Sequence, residues 1–272
     1  MSLLGKTFFI SGSSRGIGRA MAIKFAQEGA NIVITGKTDS PHKKLEGTIY
    51  TVADEVEAVG GKALPLLLDV RDEVAIQTAV DQAVSTFGGL DVLINNASAI
   101  SLTPTLKTKM KRFDLMFGVN VRATFACSQA CIPYLKKSSN PHIVNIAPPL
   151  SMKAKWFKDH LAYTYTKFGM SVCTLGMSEE FKDQGIAVNS VWPATTIATA
   201  AVKYNFPEKI YQASRKPLIM ADAVYALITQ DSTTVTGEYF LDEDLLRQAG
   251  VNDFKQYMEN PELKPIPDFY ID

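Results

Sequence analysis

Apolar residues along this chain fall into short runs, separated by longer stretches in which they recur with helical periodicity. The first run, residues 7–11, ends in a glycine-containing turn and leads into a helical pattern over 17–29, and a second run follows at 31–35. That is a strand–helix–strand unit. The alternation continues with helix 49–59, strand 63–68, helix 74–87, strand 91–95, a long helix over 113–136, strand 142–146, helix 161–181 and strand 187–191. A seventh strand is expected near 238–241. The strands are apolar nearly throughout, as expected where helices cover both faces of a sheet. The pattern predicts an α/β fold with one doubly wound, parallel sheet of six to seven strands. Residues 1–241 are expected to form a single domain. Residues 242–272 read as a polar tail packed on its surface, with Pro261, Pro265 and Pro267 keeping the last dozen residues extended.

Composition narrows the class. The chain has 272 residues, 46% hydrophobic and 21% charged, which is ordinary for a soluble globular protein. Twenty-eight basic residues balance 28 acidic ones, so no overall field gathers nucleic acid or an anionic membrane, and a small-molecule partner is favoured. Cys127, Cys131 and Cys173 are odd in number, and the first two lie four apart in an apolar helical pattern, which reads as buried free thiols in a reducing compartment. Residues 1–6 run straight into the first strand pattern with no signal peptide, and there is no run of about 18 apolar residues. A cytoplasmic protein without a membrane span is expected.

The candidate chemistry begins in the first turn, Ser11-Gly12-Ser13-Ser14-Arg15-Gly16-Ile17-Gly18. Glycines at this spacing let the chain turn sharply and let backbone N–H groups approach a pyrophosphate at a helix N-terminus, where the macrodipole also favours an anion. Following the first strand, the loop makes the sheet Rossmann-like. The second strand ends Ile34-Thr35-Gly36-Lys37. An acidic residue there would bond ribose hydroxyls and repel a 2′-phosphate. With no carboxylate at that point, and with Lys37 and Arg15 able to reach the adenosine end, NADP(H) is preferred. Lys37 can also be read as a solvated loop lysine, and Asp39 keeps NAD(H) open. Asp69, after the third strand, reads equally as an adenine ligand or as a helix cap.

Tyr163 and Lys167 lie four apart at the start of a helical pattern, so their side chains share a face. An ammonium beside a phenol favours the phenolate and lowers its pKa, which suits a proton donor to, or acceptor from, a substrate oxygen. Tyr165 has Gly169 at the same offset. Tyr163 is therefore the candidate. Asn95-Asn96-Ala97-Ser98 closes the fourth strand, and Asn120 stands inside the long helical pattern, where propensity disfavours it and a specific polar role is expected. His42, His142 and His160 share no metal-ligand spacing, and no metal site is expected.

In this order, the glycine loop, Asn95-Asn96-Ala97, Asn120 and Tyr163-x-x-x-Lys167 resemble the short-chain dehydrogenase/reductase family. A closer resemblance to one member runs through Lys37-Thr38, residues 47–51 and 95–103, residues 130–138 and Trp156-Phe157-Lys158, and covers that member's dehydrogenase part only. The resemblance implies that Gly12, Ser13, Ser14, Arg15, Gly16, Ile17 and Gly18 hold a pyrophosphate, with Arg15 and Lys37 near a 2′-phosphate. It implies that Asp69 binds adenine and that Asn96 lines the cofactor cleft. Tyr163 would exchange the proton, Lys167 would bind the nicotinamide ribose and tune Tyr163, and Asn120 would hold a water linking Lys167 to solvent. It also implies a homo-oligomer, formed through the long helix and the helix after Tyr163.

The chain departs from that pattern in two places. The family places a serine after strand five, but Ala147-Pro148-Pro149 stand here, and none donates a side-chain hydrogen bond. Either Ser151, displaced by the stiff turn, reaches the substrate oxygen, or Tyr163 polarises it alone and catalysis is weak. After strand six, Trp192-Pro193-Ala194 replaces the usual Pro-Gly. Met152, Trp156, Phe157, Trp192 and Phe206 flank the expected site and suggest a hydrophobic carbonyl or alcohol substrate, although core or subunit contacts account for them equally. The expected function is an NADP(H)-dependent oxidoreductase, with a weakly catalytic NADP(H)-binding module as the alternative.

Overall fold

A computed structural model describes residues 2–42 and 45–271. Its elements in chain order are β1 (Thr7–Ile10), α1 (Gly16–Gln27), β2 (Asn31–Gly36), α2 (Ile49–Ala58), β3 (Lys62–Leu67), α3 (Glu73–Phe87) and β4 (Val92–Asn95), followed by α4 (Met110–Met116) and α5 (Ala123–Leu135). Then come β5 (His142–Asn145), α6 (Leu161–Glu180), β6 (Ala187–Trp192), α7 (Ala200–Asn205), α8 (Glu208–Gln212), α9 (Leu218–Ile228), β7 (Tyr239–Leu241) and α10 (Asp242–Gln248). The strands form one sheet in the order β3-β2-β1-β4-β5-β6-β7. Every pairing is parallel. This is the doubly wound α/β arrangement that the apolar runs predict.

Two apolar layers explain why those runs do not alternate with polar residues. Phe8, Ile10, Ile32 and Ile34 face one layer, with α1, α2 and α9, while Phe9, Val33, Leu93 and Ile143 face the other, with α3 and α5. Successive residues of a strand point to opposite faces, so a sheet covered on both sides needs apolar residues at every position. Helix starts follow local chemistry. Thr48 and Thr51 exchange side-chain and backbone bonds as a capping box on α2, and Asp72 accepts Val74 N–H and Ala75 N–H at the start of α3.

Three features differ from the periodicity. The helix expected over 113–136 begins at Met110 and runs as a π-helix through Phe117–Arg122, with Ala123 N–H bonded to Gly118 O. The extra residue per turn shifts the apolar stripe, which blurs the N-terminal boundary. Helices α7 to α10 have no counterpart in the sequence reading; α9 is apolar on nearly all sides, and such a helix has no period to detect. The tail is not confined to the surface: Phe254, Tyr257, Met258 and Tyr270 are buried. No described helix is long and apolar enough to cross a membrane.

Beneath the carboxyl ends of β4, β5 and β6 runs a buried polar chain. Asn95 Nδ2 donates to Asn145 Oδ1 (2.9 Å) and Ser128 Oγ (3.1 Å), Asn145 Nδ2 donates to Thr174 Oγ1 (2.8 Å), and Thr174 Oγ1 meets Ser190 Oγ at 2.7 Å. It ties three strands to α5 and α6 with its members satisfied by one another. Asn145→Ala removes one of two partners from both the Asn95 amide and the Thr174 hydroxyl, and is expected to cost about 2–3 kcal/mol, seen as a lower urea midpoint with an unchanged slope. An unaltered midpoint would remove the chain from the stability of the sheet.

Candidate active site

The sheet reverses direction between β1 and β4, and the loops leaving those strands are stitched together there. Ser11 Oγ accepts Asn96 N–H (3.0 Å) and Ala97 N–H (3.1 Å), and Asn96 Nδ2 donates to Ser11 O (3.0 Å) and Gly12 O (2.9 Å). Asn96 therefore shapes the glycine loop besides lining a cleft. A Cβ on Gly18 would lie 2.5 Å from Gly12 O and 2.6 Å from Asn96 Nδ2, and one on Gly12, where φ is +68°, would lie 2.9 Å from Ala97 Cα. Only glycine allows this approach. Ser13 and Ser14 are buried, with Ser13 Oγ bonded to Ile10 O at 2.9 Å. Arg15 precedes α1 without a side-chain cap, and the first turn, which includes Ile17, carries no acidic residue. Its N–H groups lack intrahelical acceptors and carry the positive end of the helix dipole. This cradle fits a pyrophosphate.

Further along the same edge, Arg15 Nη2 donates to Thr38 Oγ1 (3.0 Å) and Gly47 O (3.1 Å), which holds the guanidinium beside the end of β2. Burial lowers its pKa. Among the described residues no carboxylate pairs with it. Lys37 Nζ instead lies 3.1 Å from Asp69 Oδ2, and Arg71 also binds that carboxyl. The Arg71 guanidinium, opposed by burial and helped by Arg71 N–H and Lys37, holds Asp69 well below the usual carboxylate range. Asp69 does not cap α3; Asp72 does.

Tyr163 and Lys167 are both buried on α6. Lys167 Nζ donates to Ile146 O (2.6 Å), contacts Met170 Sδ (3.3 Å) and stands 5.0 Å from the Trp192 ring centroid. Burial pulls its pKa down to about 7, against the raising effect of Asp268. The Tyr163 phenol moves the other way: burial first, then Tyr270 and Asp268, raise it well above its ordinary value. The lowering expected from a neighbouring ammonium is not seen: desolvation, Tyr270 and Asp268 all favour the protonated phenol. Asn120, within the π-helical turn, accepts Ala99 N–H (2.7 Å) and donates to Ala99 O (3.0 Å) and Thr166 Oγ1 (2.9 Å). Both amide donors go to protein partners, and the side chain links the loop after β4 to α6.

A cavity of about 530 Å³ joins these parts: Ile17, Asn96, Tyr163 and Lys167 share its walls. Trp156, Trp192 and Phe206 also line it, whereas Met152 is 90% exposed and Phe157 packs on Phe168. Ser151 is not among its lining residues; its Oγ accepts Lys153 N–H at 3.4 Å. Ala147 is fully buried, and Pro148 O accepts the Ser171 hydroxyl at 2.7 Å. Sequence reasoning missed Ser98, Asp268 and Phe269 on the same walls. Ser98 stands within a motif already singled out, but no local signal marks the other two, because they come from the tail. His160, just before α6, packs edge-on against Tyr163 at 6.3 Å and Phe269 at 4.9 Å.

The short chain dehydrogenase family model matches residues 6–209. Hydroxysteroid dehydrogenase-like protein 2 of Danio rerio is 55% identical over 99% of this chain, which spans 65% of that relative's length. A crystal structure of a short chain dehydrogenase from Mycobacterium thermoresistibile superposes with a TM-score of 0.94 at 46% identity, covering 100% of this chain and 96% of that one. A metagenomic short-chain oxidoreductase in complex with NADP superposes with a TM-score of 0.73 at 26% identity, covering 89% and 98%. With the parallel sheet, the glycine cradle and the Tyr163–Lys167 cavity already in place, these matches identify the chain as a member of the short-chain dehydrogenase/reductase family of oxidoreductases.

Proposed function

We propose that this chain moves a hydride between NADP(H) and a hydrophobic carbonyl or alcohol, with Tyr163 as the proton donor or acceptor. The observation that carries this reading is that one apolar cavity has the start of α1, Asn96, Tyr163 and Lys167 on its walls. Cofactor and acid–base groups thereby meet on one substrate space. The residues Gly12 to Gly18 hold the pyrophosphate on the uncapped end of α1, and Asp69 lies at the adenine end. A bound nicotinamide supplies or takes the hydride. In reduction, the buried phenol of Tyr163 keeps its proton until the substrate oxygen gains charge. Lys167, with a pKa of about 7, recovers protons near neutrality and steadies the developing phenolate. Asn120 keeps α6 in register with the loop after β4.

The apolar walls, with Trp156, Trp192 and Phe206, favour a hydrophobic substrate. NADP(H) is supported by the Arg15 guanidinium beside Thr38, which has no carboxylate partner among the described residues, by Lys37, and by the NADP bound to the metagenomic relative. A second reading, a cofactor-binding module with weak catalysis, draws on the donorless Ala147-Pro148-Pro149 segment and on the place of Ser151 outside the cavity.

Three measurements test the proposal. Tyr163→Phe is expected to lower kcat by about 10² to 10⁴ in a screen of hydrophobic aldehydes and ketones, while NADPH affinity stays within about threefold. Tight NADPH binding with no turnover on any substrate would favour the second reading. Arg15→Ala should weaken NADPH binding by about tenfold or more and leave NADH binding nearly unchanged, by fluorescence titration. Equal losses for both cofactors would remove Arg15 from 2′-phosphate recognition. A homo-oligomer is also proposed, because Phe125 on α5 and Val172 and Leu175 on α6 are 53%, 55% and 55% exposed. Val172→Glu with Leu175→Glu should yield monomers by light scattering; an unchanged mass would place the interface elsewhere.

A further inference from the structure

The last residues of the chain enter the site as a fixed wall. Pro267 bridges Thr195 in antiparallel fashion, Thr196 N–H donates to Ile266 O (2.9 Å), and Asp268 N–H donates to Ala194 O (3.2 Å). Trp192 Nε1 donates to Phe269 O (2.9 Å), and the Tyr270 hydroxyl meets Thr164 Oγ1 at 3.1 Å. These bonds set Asp268 on the cavity wall shared by Tyr163 and Lys167. It is the one carboxyl among the described lining residues. Its Oδ1 accepts Phe269 N–H at 2.6 Å, and the carboxyl has no other hydrogen-bond or ion-pair partner among the described residues.

A carboxyl in an apolar cavity with half its capacity unused loses affinity for any substrate that offers it nothing. The substrate must therefore present a polar atom to it. The reacting oxygen is such an atom, because Asp268 lines the same cavity as Tyr163 and Lys167. After β5, Ala147, Pro148 and Pro149 supply no side-chain donor to that oxygen.

We propose that Asp268 is the second hydrogen-bonding group at the reacting oxygen, donating from its protonated carboxyl to the substrate carbonyl beside Tyr163. This rests on Tyr163 being the proton donor, as proposed above. In reduction the carbonyl carbon takes the hydride, the oxygen takes the Tyr163 proton, and Asp268 keeps its own. The protonated form is available because burial, with the nearby Asp242 charge and despite Phe269 N–H and Lys167, raises Asp268 to about 7. The titratable groups around it are Tyr163 and Lys167 from α6, Asp242 from α10, and Tyr270 from its own segment. As pH rises through about 7 the carboxyl loses its proton and the donor is lost. The reductive rate should fall over that interval.

The experiment compares Asp268→Asn, which keeps a donor of the same shape, with Asp268→Ala, using NADPH and decanal as the probe. The expected result is a loss on the order of 10² in kcat/KM for Asp268→Ala and near-normal turnover for Asp268→Asn, both at about pH 6. A readout independent of turnover is the infrared difference spectrum of the unmodified protein against Asp268→Asn. A carboxylic acid C=O band present at about pH 6, replaced by carboxylate at about pH 8 and moved by decanal, is expected. Carboxylate bands at both pH values, an unaltered rate in Asp268→Ala, or a loss in Asp268→Asn equal to that in Asp268→Ala would overturn the proposal. Full turnover in Tyr163→Phe would instead overturn the reading beneath it, leaving the infrared result to decide the protonation of Asp268.

Discussion

The close meeting of two loops at the reversal of the sheet is the constraint on which the site depends. Strands β1 and β4 are neighbours, yet their connections leave to opposite sides, so a crevice opens between them. Ser11 and Asn96 close the base of that crevice with four hydrogen bonds, and Gly12 and Gly18 permit contact at distances no side chain tolerates. The same contact points the uncapped end of α1 toward the crevice and sets Asn96 on the wall that Tyr163 and Lys167 share. One arrangement of backbone thus positions the glycine loop and the Tyr163–Lys167 pair together.

Burial then sets the electrostatics. Lys167 is brought down to about 7 and Asp268 up to about 7, while Tyr163 is pushed up, because desolvation disfavours the charged form of each. Lys167 and Asp268 resist one another's shift but do not cancel it. Near neutrality the cavity can thus hold protons on three groups whose ordinary values span several units. An apolar enclosure achieves this without a close ion pair, since a tight pair would return both groups to their charged forms.

The segment after β5 and the C-terminal tail are linked by what each lacks and supplies. Ala147 is sealed in the core and the Pro148 carbonyl is held by Ser171, so that loop is a structural support of α6 and carries no side-chain donor. The tail supplies Phe269, Tyr270 and Asp268 in the space beside it, pinned by main-chain bonds to residues 194–196. Position on this wall is set by backbone pairing, and the side chains are carried along with it.

Much of this protein is legible in its sequence because the physics involved is local. Continuous apolar strands, a glycine loop after the first of them, and a tyrosine and lysine four apart each follow from neighbouring residues, and the parallel sheet, the cradle and the shared face of α6 agree with them. Asn120 was conspicuous for the same reason, as a polar residue in a helical interior. What remained hidden depends on contacts between distant segments. The π-helical turn is stabilised by Asn120 bonding to Ala99 and Thr166, and α9 buries apolar residues on several sides at once. Above all, Asp268 lies 105 residues from Tyr163. Nothing near it in sequence announces a carboxyl on a cavity wall, and its raised proton affinity exists only once folding has removed much of the water around it. The chain alone determined the sheet, the glycine loop and the shared face of Tyr163 and Lys167; the tertiary structure decided which charges share their cavity, because desolvation and proximity are properties of the packed molecule.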